Sequence, residues 1–226
     1  MCFFCFKIKK VMLNILILSF VFFSAQVVPN QKTSSFLFAQ KINNLFEKHD
    51  YVSVSKMIQE SSNYQLNIEI LRPWAQEGLV PAMWILADQL HQNNDEKDSA
   101  NWLYTAVLGL RMDISICLNN DTKNIESEFL NNYWSTVQSA RVMPYRMATA
   151  IDFSIQFFKK NNLKTLDSSW ACRLKPTWGD QGLIGTPQLN AYHRQWVFDN
   201  YIKSSSASKP SANIGQSSEI ESILDH

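Results

Sequence analysis

Cysteine, glycine and unbalanced charge are all scarce in this 226-residue chain: four Cys, six Gly, and 21 basic against 20 acidic side chains. The even charge leaves no basic face for a nucleic-acid backbone, which excludes that class of partner. The glycines build no phosphate cradle, since Gly182 and Gly185 are spaced wrongly and follow no predicted strand. There is no GxSxG elbow to expose a nucleophile. Beyond the first five residues no CxxC remains, and His49, His91, His193 and His226 are scattered without metal-ligand spacing. No metal or cofactor is therefore expected. Long apolar runs are absent too, except at the N-terminus.

That one run sets the expected compartment. Lys7, Lys9 and Lys10 precede VMLNILILSFVFF, and the small residues Ser24 and Ala25 lead into polar Gln31, Lys32 and Thr33. Charged, apolar, small is the order of a secretory signal, so residues 1–25 are read as a signal peptide cleaved after Ala25. Phe23 is bulkier than the usual residue at its place, and Val11 to Val28 just reaches bilayer-spanning length. An uncleaved anchor is the competing reading. Under both readings the bulk of the chain lies outside the cytoplasm, periplasmic or secreted in the first case, and the lysines favour that orientation.

The mature chain keeps about 200 residues, enough for one core, and a formal charge of about −2. It also keeps only two cysteines, Cys117 and Cys172. In an oxidising compartment the simplest reading is one disulfide between them; two buried, unreactive thiols are the alternative. Aromatic residues, by contrast, are plentiful at 12%, with seven Trp. Most of these rings belong in a core.

Helical periodicity is the only consistent pattern along the chain. Apolar residues recur three and four apart over 34–48, 51–60, 67–77, 81–92 and 100–110, then over 125–143 and 145–160. Pro73 should kink or shorten its helix, and Pro144 should end or bend the one before it. Thr186 and Pro187 read as cap and first residue of a last helix to about Ile202, lined by Leu189, Tyr192, Trp196 and Val197. The fold class is all-α: a short array of αα-hairpins over 34–202 with a C-terminal helical cap. The Ser-rich residues 203–226 are read as a disordered tail.

The densest signal lies in 72–109, RPWAQEGLVPAMWILADQLHQNNDEKDSANWLYTAVLG. Ala75, Gly78, Ala82, Leu86, Asp98, Ala100, Trp102, Tyr104, Ala106 and Gly109 fall in the order of the Sel1-like repeat, a helix-turn-helix relative of the tetratricopeptide repeat, which this stretch resembles. It departs from the family in spacing, about 31 residues from Gly78 to Gly109, and in HQNNDEKD, which replaces the glycine-rich turn. One unit is recognisable, roughly a sixth of the chain. The resemblance implies protein binding rather than a reaction.

Candidate interface residues come from the one long aperiodic segment, 168–186. Trp178 and Trp170, with Arg173, Lys175 and Asp180, supply the aromatic and charged mixture that interface hot spots favour. A tryptophan beside a disulfide is also commonly packed against it, so Trp178, between Pro176 and Gly179, is placed ahead of Trp170. The expected function is an exported module that binds another protein, with a periplasmic immunity or inhibitor protein as the particular role. An anchored envelope scaffold is the alternative. A small hydrolase using Ser168 or Ser169 with His193 and Asp180 is a third reading, and the chain is otherwise not expected to be an enzyme.

Overall fold

The computed structural model describes residues 30–117, 122–141, 144–161, 169–172 and 187–207. Among these the elements are helices, with no strand. In chain order they are α1 (Asn30–Glu47), α2 (Tyr51–Gln59), α3 (Tyr64–Gln76), α4 (Val80–Gln92) and α5 (Glu96–Ile114), followed by α6 (Thr122–Asn132), α7 (Trp134–Arg141), α8 (Pro144–Lys160), α9 (Ser169–Cys172) and α10 (Pro187–Ala207). The chain divides into two compact units, Met1–Asn44 and Leu45–His226. Of the first, the described part is the helix of 30–44, with Phe36 and Leu37 exposed. All that follows concerns the second unit.

Tight joints separate its first helices. His49, Gly78 and Asn94 all take positive φ (57°, 98° and 61°) one residue past a helix cap. Each closes the same pair of bonds: at Gly78, its own N–H reaches the Ala75 carbonyl and the Leu79 N–H reaches the Trp74 carbonyl. Those two bonds satisfy carbonyls that a helix end would otherwise leave open, and φ > 0 is what lets the chain turn to make them. The residue after each turn is already the N-cap of the next helix. The carboxylates of Asp50 and Asp95 accept the N–H groups of Ser53 and Asp98, so stop and start share two residues.

The two central helices are buried all round, not on one stripe. In α4 every residue from Val80 to Ala87 is buried, and in α5 every residue from Ser99 to Leu110. A helix that is apolar on every side belongs at a core, surrounded by others. Helix α5 accordingly packs against α4, α6, α7, α8, α9 and α10, while α4 also takes α2, α3 and α7. Buried polar side chains fix the register of these contacts. Asn67 of α3 donates to Gln89 of α4 (2.7 Å), and Ser99 of α5 donates to the Ala87 carbonyl (2.8 Å).

Gly109 marks the closest approach between helices. A Cβ there would lie 2.6 Å from Val80 Cγ2 and 3.2 Å from Phe158 Cζ. Alanine is the better helix former by about 1 kcal/mol, but the β-branched Val80 at the start of α4 has few rotamers with which to retreat. Overpacking of this kind costs about 1–3 kcal/mol, so Gly109→Ala should lower stability by about 1 kcal/mol net. Urea unfolding measures it, and a more stable variant would show that α4 slides freely.

Several expectations are corrected. The helix expected over 125–143 breaks at Tyr133, where the chain turns between α6 and α7. Pro144 opens α8. Helix α3 continues three residues beyond an exposed Pro73. Helix α10 begins at Pro187 as expected but runs to Ala207, so 203–207 do not belong to a disordered tail; 208–226 lie outside the described residues. Its expected lining is reversed as well: Leu189, Tyr192 and Trp196 are exposed, whereas Arg194, Phe198, Tyr201 and Ser205 are buried.

Candidate functional site

Helix α10 presents an apolar face to solvent. Leu189, Tyr192 and Trp196 fall at i, i+3 and i+7, which places them within one narrow sector of the helix. Tyr192 is 65% and Trp196 59% exposed. The opposite sector holds Arg194, Phe198 and Tyr201 against the core, where Tyr201 reaches Ser154 of α8 across 3.4 Å. Burial pushes the Tyr201 hydroxyl up to about 12, so it remains protonated. One face of this helix is thus committed to the fold. The other is not.

A cleft of about 410 Å³ lies between α2, α4, α6 and α9. Its aromatic wall consists of Tyr51, Phe129, Tyr133 and Trp170, and its polar rim includes Ser55, Lys56 and Glu128. The rings brace each other: Trp170 meets Tyr51 and Phe129 edge-on at 6.2 and 6.0 Å, and the fully buried Trp84 backs Phe129 and Tyr133 at 5.4 and 5.5 Å. Burial raises the Tyr133 hydroxyl above its ordinary value, against the opposing effect of its hydrogen bond with Ser55. The phenol therefore stays neutral at the cleft wall.

Trp170 is a core residue, which corrects its place among the partner-facing candidates. It is 3% exposed, and its indole N–H donates to Asp113 Oδ2 at 2.8 Å. The other Asp113 oxygen lies 3.7 Å from Arg194 Nη2, and both side chains of that ion pair are buried. One carboxylate of α5 thereby ties down α9 and α10 together. Position 170 sits in a short helix where Trp170 and Ala171 are buried, so an aperiodic neighbourhood did not mean an open one. Arg173, Lys175, Trp178 and Asp180 lie outside the described residues, as does Ser168.

Among the described residues no group of three or more His, Cys, Asp or Glu side chains is arranged to hold a metal ion. None of the described helices is long and apolar enough to cross a membrane. In comparison with known proteins, the chain matches no family model, no curated protein and no solved structure.

Proposed function

We propose that this chain is an exported, protein-binding helical module of Sel1-like repeat type, with a periplasmic inhibitor or immunity protein as its particular role. The observation that carries the reading is the exposed Leu189–Tyr192–Trp196 face of α10. Tryptophan and tyrosine are the residues most enriched where partners contribute most affinity, and an apolar helix face is a recurring element of protein recognition. Solvent contact with rings of this size has a cost that a partner would relieve. The hairpin-like succession α2 to α5 supports the repeat assignment, with α8 and α10 as the cap. A disulfide from Cys117 to Cys172 belongs to the same reading. It is supported by the bonded state of Cys117 and by the packing of α9, which ends at Cys172, on α5.

Capture by the mature chain tests the binding half. Trp196→Ala should weaken recovery of the partner at least tenfold, about 1.4 kcal/mol or more, while the melting temperature stays within about 2 °C. Undiminished capture would remove α10 from the interface. Fractionation with N-terminal sequencing tests export: a chain beginning at Gln26 supports it, and a membrane-bound chain that retains Met1 supports the anchored scaffold instead.

A further inference from the structure

His91, which stands alone in the sequence, has two partners in the fold. Its Nδ1 lies 3.0 Å from Glu96 Oε1, and its Nε2 lies 3.1 Å from Ser135 Oγ. A carboxylate only accepts hydrogen bonds, so Nδ1 carries the ring proton and Nε2 keeps the lone pair. The Ser135 hydroxyl then donates to that lone pair. The second Glu96 oxygen accepts from Ser139 Oγ, which fixes the carboxylate plane. We infer that Ser135, His91 and Glu96 form a nucleophile, base and orienter able to hydrolyse carboxylic esters, an activity beyond the binding role proposed above and resting on different residues.

The fold supplies each member for a physical reason. His91 occupies the last turn of α4, where the helix dipole favours the imidazolium that proton transfer creates. The turn at Asn94 folds Glu96 back onto it, five residues away. The Asp88 carboxylate, one turn earlier on α4, accepts from Thr136 of α7 at 3.0 Å and so ties the two helices together beside Ser135. Ser135 is exposed and lies in the first turn of α7, whose leading amides have no acceptor within their own helix. Trp134, half exposed in the same turn, carries the Arg141 guanidinium over its ring at 5.8 Å.

The reaction balances with water as the only co-reactant. Ser135 Oγ bonds to the ester carbonyl carbon as its proton passes to His91 Nε2. The carbon–alkoxy bond then breaks, and the alcohol leaves with that proton. Water next adds to the acyl carbon and gives its proton to His91, and the carbon–Oγ bond breaks to release the acid. Ser135 recovers its proton from His91.

The test uses the mature chain, a fluorophosphonate probe and p-nitrophenyl acetate. Peptide mass analysis should find the phosphonyl adduct on Ser135. Ser135→Ala should abolish the adduct and lower ester turnover at least 100-fold. His91→Gln should slow labelling to a similar degree, and Glu96→Gln by about tenfold or more through loss of tautomer control. A purely structural role for the three residues predicts no adduct at any of these positions, so labelling separates the two accounts even if a variant is less stable. Absence of an adduct on Ser135, or ester turnover that survives Ser135→Ala, would overturn the assignment.

Discussion

Replacing Asp113 with alanine is expected to destabilise the protein by about 3–5 kcal/mol, because it leaves the Arg194 guanidinium buried without its carboxylate. For a protein of this size the melting temperature should fall by about 10 °C or more. Trp170 loses the acceptor of its indole N–H in the same step. The compensating double variant, Asp113→Leu with Arg194→Met, should recover most of the loss, since a buried ion pair contributes little more than apolar residues that fill the same volume. Thermal melts of the two variants decide the matter. If the single variant matched the parent, the pair would have to be solvated.

Trp84 should show the second large effect. It is fully buried, and Trp→Ala in a core costs about 3–5 kcal/mol. The rings of Phe129 and Tyr133 would lose their backing, so the cleft should be deformed as well. Trp84→Phe is expected to cost under about 2 kcal/mol, because the Trp84 Nε1 has no hydrogen-bond partner among the described residues, so no polar interaction with them is removed. Urea unfolding of both variants gives the comparison. Equal losses from Phe and Ala would mean that the indole N–H is bonded after all.

The helices themselves were largely legible, since apolar spacing places most of their spans, Pro144 the stop before α8 and Pro187 the start of α10. The burial of α4 and α5 on every side was less so. Their small residues permit close approach, but only neighbouring helices reveal that no side faces water. The break at Tyr133 carries no glycine or proline to announce it. His49 and Asn94 are equally quiet, because an L-residue with positive φ is recognisable only once the turn is formed. On α10 the error ran through polarity: Arg194 is buried because Asp113, 81 positions earlier in the chain, lies beside it. The same distance problem hid Ser135 from His91, 44 residues apart. Pairings of that range belong to topology, and a single sequence read along its length does not express them.

The shared joints at His49, Gly78 and Asn94 have a mechanical meaning. A loop of several residues absorbs an insertion by bulging, whereas here the residue that completes one helix end is also the first cap of the next. One added residue would have nowhere to go except into a helix, where it rotates everything beyond by about 100° and advances it by about 1.5 Å. At Asn94 that rotation would carry the Glu96 carboxylate away from His91 and swing Gly109 off Val80 in a single stroke. Helices α3, α4 and α5 thus behave like gear teeth cut on one shaft, tolerant of side-chain exchange but not of a change in count.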